Sequence, residues 1–485
     1  LIFFEIRYFS ILNNSIFDFM PLATHLFKYH KIPLLFVLLS SIFYLSFAYE
    51  LVRTDITKLL LLYLALFVFA YQIIKTSGFY FRLLVIAAIL FRLLFLFAVP
   101  NLSQDFYRFI WDGQMIISGI NPYLSTPDFQ MAKGMLSSFS NQNELYQGMG
   151  ELSASHFTNY PPLNQLCFVL GNLFPGKSIL SSIIGMRLII IAADIGTLYF
   201  GKKLLERLKL PSNRIFWYIL NPFIIIELTG NLHFEGVMIF FIVWSLYLLH
   251  SGKWKWAAVV YACSISVKLI TLMFLPLFFW WFASNTRTNH NYKPKKRILA
   301  LVGMTKLISF YAIVITITLL LFLPFFSMEF INNYSKTVGL WFGNFEFNAS
   351  LYYLARTIGY AFTGYNEIAI IGRVLPVISL VIILGFSFFK ENKTISKLFT
   401  SMLFTFTFYL FLSTTVHPWY IATLILICIF TNYRFPLVWS IVIILSYLAY
   451  SNSSNSENLW VIGLEYAIVF FVFLWEVLFK KRIRV

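Results

Sequence analysis

The chain has 485 residues, of which 59% are hydrophobic, 20% are aromatic and only 12% are charged. A soluble domain carries about 25% charged residues, so this composition excludes an ordinary soluble protein. Many apolar runs reach the roughly 20 residues that cross the hydrocarbon core of a bilayer. We therefore predict an all-α polytopic integral membrane protein.

The formal net charge of +17 could by itself indicate a nucleic-acid partner. The basic residues, however, lie in short loops between apolar runs, which is the pattern of cytoplasmic loops in membrane proteins. These residues are Lys202, Lys203, Arg207, Lys209, Arg214, Arg287, Lys293, Lys295, Lys296, Arg297, Lys390, Lys393, Lys397, Lys480, Lys481, Arg482 and Arg484. We predict membrane lipids as partners and no nucleic acid.

Apolar runs of membrane-spanning length follow one another along most of the chain, and 11 to 14 transmembrane helices are expected. The candidate spans are 33–51, 57–74, 79–99, 179–200, 213–229, 234–251, 254–283, 298–325, 368–389, 397–414, 417–430, 434–450 and 459–480. The long run at 254–283 fits either one tilted helix or two short ones.

If the basic loops are cytoplasmic, the segments poor in Lys and Arg face the other side of the membrane, and the N-terminus is cytoplasmic. These segments are 100–178, 230–233, 326–367, 415–417 and 451–458. Two apolar pieces, 161–175 and 348–363, would break the alternation of sides, so we interpret them as interfacial or re-entrant helices beside a cavity. No polar stretch is long enough to bury a second core. We predict a single domain, 1–485, with residues 100–178 as a large non-cytoplasmic loop.

This loop begins with an unusually polar stretch, SQDFYRFIWDGQMIISGINPYLSTP, residues 103–127. Ser103 is expected to cap a helix that starts at Gln104, and Gly119 is expected to end it. Asp105 and Asp112 are seven residues apart and share a helix face, with Arg108 near Asp105. The helix is expected to lie on the outer membrane surface on an apolar face. That face comprises Phe106, Phe109, Ile110, Ile116 and Ile117.

Other polar residues are predicted on the same side of the membrane: His233 and Glu235 in TGNLHFEG, His417 in TVHPWY, Tyr160 in NYPPL and Lys268 in an apolar run. Ionisable residues near a bilayer often mark functional sites. The alternative is an ordinary interfacial helix with charges facing water, together with histidines and a lysine satisfied inside the core. The pattern alone leaves both open.

The order of these motifs resembles a known family. D-x-Y-R, W-D-G, G-x-N-P-Y and Y-P-P-L follow an apolar helix, with GNLHFEG, VKLITLMFLP and HPWYI further along. This series is similar to the GT-C glycosyltransferases. Within them it most resembles the branch of bacterial polyprenol-phosphate-mannose-dependent mannosyltransferases and the first mannosyltransferase of GPI-anchor synthesis. The resemblance covers about residues 79–430.

The resemblance implies a GT-C-like helix bundle that moves a hexose, with mannose favoured, from a polyprenyl-phosphate donor to a lipid-linked or cell-envelope glycan acceptor. It also implies an inverting reaction on the periplasmic side of a bacterial inner membrane. Asp105 matches the family's general base. A carboxylate suits this role, because a sugar hydroxyl is a poor nucleophile until its proton is taken. Oligomeric state is not predicted.

The leaving group is a lipid phosphate, which needs cations or hydrogen-bond donors where negative charge develops. The candidates for phosphate binding are Arg108, Lys268, His233 and His417. Asp112 is a candidate to orient Arg108, to bind the acceptor sugar or to stabilise the fold. The candidates for acceptor and sugar binding are Asp112, Tyr160, Glu235 and Trp419. Aromatic platforms for a sugar ring are sought among Trp111, Tyr123, Tyr160, Trp341 and Trp419, with Tyr160 and Trp419 preferred because they adjoin motif residues.

No metal site or other cofactor is predicted. The D-x-D pair of some relatives is missing, because Tyr107 stands where the second acid would be and the next acid is Asp112. The three cysteines, Cys167, Cys263 and Cys428, lie in apolar runs without metal-type spacing and are expected to pack as small apolar residues.

Two other functions remain open. One is a transporter or flippase for a lipid-linked sugar, which would more often show inverted repeats and charges at the middle of the membrane. The other is a polysaccharide polymerase or ligase. Asp105 discriminates among them, because only the glycosyltransferase hypothesis requires it.

Overall fold

The computed structural model describes residues 31–77, 80–134, 141–284, 296–343, 345–452 and 456–479. Within these ranges the chain is helical, apart from connecting loops and one isolated bridge between Phe347 and Thr415. The first ten helices are α1 (Lys31–Tyr49), α2 (Ile56–Ser77), α3 (Phe81–Leu93), α4 (Asp105–Ile117), α5 (Pro127–Lys133), α6 (Gln142–Ala154), α7 (Pro162–Asn172), α8 (Ile179–Arg207), α9 (Pro222–Gly230) and α10 (Glu235–His250).

The second half continues in the same way. Its helices are α11 (Trp254–Val267), α12 (Leu269–Ser284), α13 (Lys296–Phe322), α14 (Met328–Gly343), α15 (Leu351–Thr363), α16 (Ile368–Phe388), α17 (Ile395–Phe411), α18 (Pro418–Cys428), α19 (Phe435–Ser451) and α20 (Leu459–Leu478). The shorter turns Ser212–Ile215, Phe216–Ile219 and Leu323–Phe325 connect some of them.

The prediction of an all-α polytopic membrane protein is confirmed. Among the described residues, six helices are long and apolar enough to cross a membrane: α1, α2, α8, α13 with the turn that follows it (Val302–Phe325), α16 and α20. The pair α9 and α10 would form a seventh span, bent by 115° at a short break, and α12, α17, α18 and α19 are shorter apolar helices. The expected total of 11 to 14 spans stays a prediction.

Most predicted spans coincide with helices, but two differ in form. The predicted span 79–99 is helical only over Phe81–Leu93 and then passes into turns. The run 254–283 forms two short helices, because Lys268 adopts an extended backbone, with φ −147° and ψ 124°, between α11 and α12. Both pieces predicted as interfacial or re-entrant, 161–175 and 348–363, contain short helices, α7 and α15.

Several predictions concern residues outside the described ranges. They include the cytoplasmic N-terminus and the basic residues Arg287, Lys293, Lys295, Lys480, Lys481, Arg482 and Arg484. The side chains of Lys296, Arg297 and Trp341 are also outside the description.

The helix expected on the membrane surface is instead buried in protein. α4 packs against α6 and α7, and α7 packs in turn on the long helix α8. Phe106, Phe109 and Ile110 are buried in this packing, while Ile117 is exposed. The expectation that this whole face rests on lipid is wrong, because Phe109 packs on Phe168 of α7 and on Phe234.

Candidate functional site

A cavity of about 440 Å³ opens where the start of α4 faces the break between α11 and α12 and the start of α18. This volume lies within the range of small-molecule sites. Six of the predicted site residues line the cavity: Asp105, Arg108, Tyr160, Lys268, His417 and Trp419. Asp112, His233 and Glu235 do not line it.

Asp105 is the first residue of α4 and is half-buried at the cavity wall. Its backbone N–H donates to Ser103 Oγ at 3.3 Å, so Ser103 holds the turn before the helix. The expected cap is wrong in detail: Gln104 occupies the cap position, and its side chain donates to the Met149 carbonyl instead. Gly119 ends the helical turn with φ +75°, as expected.

The electrostatic surroundings of Asp105 suit a group that exchanges protons near neutral pH. Burial raises the pKa of its carboxyl to about 6. The charge of Glu235 also raises this pKa, whereas that of Lys268 lowers it. A base works best when its pKa lies near the operating pH.

Arg108 pairs with Asp112 rather than with Asp105. Its Nε donates to Asp112 Oδ1 at 2.8 Å, and its Nη1 donates to the carbonyls of Ser153 and His156. Gln165 of α7 donates to the other Asp112 oxygen at 3.1 Å. Asp112 is 0% exposed, so this geometry favours the orienting role and places its carboxylate away from any sugar in the cavity.

Lys268 reaches the cavity from the break between α11 and α12. Its Nζ lies 2.9 Å from Glu235 Oε1 and 5.5 Å from the centroid of the Tyr160 ring. Glu235 is buried behind the lysine, so the structure gives it a contact with Lys268 in place of the predicted sugar contact.

Three aromatic rings form a stack beside Lys268. The Trp419 ring lies between His233, at a centroid distance of 3.7 Å, and His417, at 4.6 Å. His417 and Trp419 line the cavity, whereas His233 is sealed behind the tryptophan, 3.6 Å from Glu227 Oε2. The proposed phosphate contact of His233 is therefore wrong for this arrangement, because Trp419 separates its ring from the cavity.

Two of the proposed sugar platforms are parts of the core. Trp111 is fully buried and donates from its indole N–H to Gln130. Tyr123 is fully buried and donates from its hydroxyl to the Tyr160 carbonyl. Trp111 packs beside Tyr146 of the same loop, whereas Tyr123 packs on Phe325, Phe330 and Tyr334 and holds the Tyr160 backbone through its hydrogen bond.

Arg187 of α8 holds together the two segments that lead into the site. Its guanidinium donates to the carbonyls of Leu96 and Ala98 after α3, and to those of Thr229 and Gly230 at the end of α9. The same two segments meet again where Leu102 N–H donates to Asn231 Oδ1 at 3.1 Å. α8 therefore fixes the position of Asp105 relative to the break that carries His233.

Sequence reasoning missed two ionisable groups near the cavity. Arg53, between α1 and α2, lines the cavity and lies over the Tyr450 ring. Glu227 is buried in the π-helical turn of α9 and accepts a hydrogen bond from Tyr447, another lining residue. Glu227 could have been found as a lone acid in an apolar run. Arg53 had no such signal, because a basic residue at a helix end is common.

The three cysteines are free thiols. Cys167 and Cys428 are buried free thiols, and Cys263 is a half-buried one. Across the described ranges, no three His, Cys, Asp or Glu side chains converge in a way that could hold a metal ion.

Part of this site lies in a region of the chain that is similar to known proteins. The sequence pattern of the family described as "Alpha-(1->6)-mannopyranosyltransferase, N-terminal domain" matches residues 37–284. The chain belongs to this family. The matched mannopyranosyltransferase region includes Arg53, Asp105, Arg108 and Lys268, whereas His417, Trp419 and the rest of the second half lie beyond it.

A curated relative is the alpha-(1->6)-mannopyranosyltransferase A of Mycobacterium tuberculosis (strain ATCC 25618 / H37Rv). It is 22% identical over 214 residues, which are 44% of this chain. The match spans 39% of the length of that mannopyranosyltransferase.

Proposed function

We propose that this protein is an inverting glycosyltransferase that moves a mannosyl residue from a polyprenyl-phosphate donor to a lipid-linked or cell-envelope glycan. The observation that carries the proposal is the half-buried Asp105, with a pKa raised to about 6, in a cavity that Arg108 and Lys268 also line. Membership of a mannopyranosyltransferase family supports mannose as the sugar. The family name also supports an alpha-(1->6) linkage in the product.

In the proposed reaction, the Asp105 carboxylate accepts the proton of an acceptor hydroxyl as that oxygen attacks the anomeric carbon of the donor. The bond between the anomeric carbon and the phosphate oxygen breaks, and the polyprenyl phosphate leaves with the bonding electrons. Inversion requires the base and the leaving phosphate to lie on opposite faces of the sugar. Tyr160 would offer a ring surface to the sugar from the cavity wall, and Trp419, whose ring stacks with both His233 and His417, would offer its ring edge.

We further propose that the cavity faces the periplasmic side of a bacterial inner membrane. Many of the lining residues come from two segments that are poor in Lys and Arg, 100–178 and 326–367, and none comes from the basic loops named above. Such asymmetry supports a non-cytoplasmic site.

The test uses membranes that contain either the wild type or the Asp105→Asn variant, supplied with radiolabelled polyprenyl-phosphate mannose. Asparagine keeps the shape of the side chain and removes the base, so transfer to endogenous acceptors should fall about a hundredfold or more. Glu206→Gln, at an exposed ion pair on α8, serves as a matched control with unchanged transfer. Equal transfer by wild type and Asp105→Asn would remove Asp105 as base. Absence of transfer by the wild type from any polyprenyl-phosphate hexose would favour a transporter.

A further inference from the structure

The positive charges that line the cavity differ in how fully they are neutralised. Arg108 is paired with Asp112 at 2.8 Å, and Lys268 is paired with Glu235 at 2.9 Å. Both acids are buried behind their partners. The two cations favoured from sequence as phosphate ligands are therefore already engaged by carboxylates of the protein.

Arg53 is different. Its side chain is half-buried at the cavity wall, and within the described ranges it makes neither an ion pair nor a hydrogen bond. The acids beside it in the chain are engaged elsewhere. Glu50 accepts hydrogen bonds from Ser46 and Lys58, and Asp55 accepts one from the Lys58 backbone N–H.

The Arg53 guanidinium lies over the Tyr450 ring. The guanidinium carbon lies 4.2 Å from the centroid of this ring, a cation–π distance. Stacking on a ring face leaves the N–H groups at the guanidinium edge available, and their fork matches two oxygens of a phosphate. Arg53 is therefore a positioned positive charge that no carboxylate of the described residues neutralises, and it is suited to bind an anion.

The surroundings of Arg53 point to a lipid as the source of the anion. Arg53 lies in the short loop that connects the two apolar helices α1 and α2, and these helices expose large apolar side chains such as Leu38 and Leu61. Its neighbour Val52 is 64% exposed. An isoprenoid chain lying along this hairpin would bring its phosphate to the level of the loop, where Arg53 faces the cavity.

We propose that Arg53 binds the phosphate of the isoprenoid lipid donor, and that Arg108 and Lys268 act as positioning residues. This assignment rests on the proposed function, because it places the donor phosphate in the same cavity as Asp105. Arg108 holds the Ser153–His156 turn by two carbonyl hydrogen bonds, and Lys268 acts on the charge of Asp105.

The test measures ligand binding by the full chain in a nonionic detergent, without any sugar transfer. The probes are polyprenyl phosphate, polyprenol of the same chain length, inorganic phosphate and phosphatidylglycerol vesicles. The variants are Arg53→Gln, Arg53→Lys and the control Arg82→Gln, an exposed arginine in the first turn of α3 that does not line the cavity.

We expect wild type and Arg82→Gln to bind polyprenyl phosphate more tightly than polyprenol. Arg53→Gln should bind the phosphate about tenfold or more weakly, which is typical for loss of a charged hydrogen bond, and should bind polyprenol unchanged. Arg53→Lys should fall between them, because lysine keeps the charge but lacks the planar fork. A matching rise of the donor KM in Arg53→Gln, with the acceptor KM unchanged, would support the same assignment.

Unchanged binding of polyprenyl phosphate by Arg53→Gln would overturn the proposal. So would equally tight binding of inorganic phosphate, or equally effective competition by phosphatidylglycerol, since either would show a site that does not require the isoprenoid phosphate. If the wild type binds polyprenyl phosphate through Arg53 but transfers no sugar, the proposed function fails and the phosphate site stands. If the wild type transfers sugar and Arg53→Gln keeps the wild-type KM for the donor, the proposed function stands and the phosphate site at Arg53 fails.

Discussion

Lys268 Nζ lies 2.9 Å from Glu235 Oε1, and these two partners act on the Asp105 carboxyl in opposite directions. The lysine lowers the pKa of Asp105 and the glutamate raises it, while burial sets the overall rise to about 6. The pair therefore adjusts the pKa of the proposed base, while its two opposite charges cancel.

The pH dependence of transfer should report this tuning. If Asp105 is the base as proposed, it works as the carboxylate, so kcat/KM should fall as the pH drops through about 6. Lys268→Met removes the cation that lowers the pKa of Asp105 and should move the acid limb to higher pH. Glu235→Gln removes the like charge and should move it to lower pH. Profiles of kcat/KM between about pH 4.5 and 8 measure the shift for each variant. Shifts of the two variants in the same direction would contradict the opposite effects of Lys268 and Glu235 on the pKa of Asp105.

Loss of Asp112 should damage stability more than loss of Asp105. Asp112→Asn leaves the buried Arg108 without its counter-charge, which typically reduces the free energy of unfolding by about 3 kcal/mol or more. We expect a clearly lower unfolding temperature in detergent. Asp105→Asn should unfold near the wild-type temperature, because the Asp105 side chain forms no ion pair within the described residues. Equal unfolding temperatures of the two variants would count against the orienting role of Asp112.

Arg187 is expected to be the most sensitive structural position near the site. Arg187→Met leaves three buried carbonyl groups and the part-buried carbonyl of Leu96 without their donor, and each unsatisfied buried polar group costs about 1 kcal/mol or more. Arg187→Lys keeps a charge but supplies fewer donors in the wrong geometry, so it should recover part of the stability. The fraction of each variant that stays monodisperse after heating to a series of temperatures measures this order of stability. A methionine variant as stable as wild type would show that the clamp is dispensable.

Substitutions of Trp419, the middle ring of the stack, should weaken substrate binding to different degrees. Trp419→Leu removes the partner of both His233 and His417, and aromatic pairs contribute roughly 1 kcal/mol beyond buried area. We expect KM for a sugar substrate to rise roughly threefold to tenfold with a smaller change in kcat. Trp419→Phe keeps a ring and should lie between this variant and wild type. A change confined to kcat would instead place Trp419 near the reacting atoms.

Local patterns were sufficient to predict much of the fold. Most helices follow apolar runs of spanning length, whereas the sequence left open whether the run 254–283 forms one helix or the two that meet at Lys268. The helix at Asp105–Ile117 follows from its bounding residues, with Gly119 supplying the left-handed turn. These features depend on residues close together in the chain.

The errors concern contacts between distant residues. The burial of Asp112 depends on Gln165, 53 residues later, and helix periodicity contains no information about that partner. Similarly, the position of Arg53 depends on the ring of Tyr450, about 400 residues later in the chain, which no local pattern indicates. His233 lies beside the cavity-lining Trp419, and only the three-dimensional position of this tryptophan shows that the His233 ring is covered.

The cavity wall is built from two parts of the chain that differ in character. Residues 37–284, matched by the family, contribute Asp105, Arg108 and Lys268, while the later part contributes the rings of His417, Trp419 and Tyr450. If Asp105 is the base as proposed, the proton transfer depends on the first part, and several of the rings that shape the pocket belong to the second. Substitutions in the second part would then change the fit of the proposed sugar substrate while leaving Asp105, Arg108 and Lys268 in place.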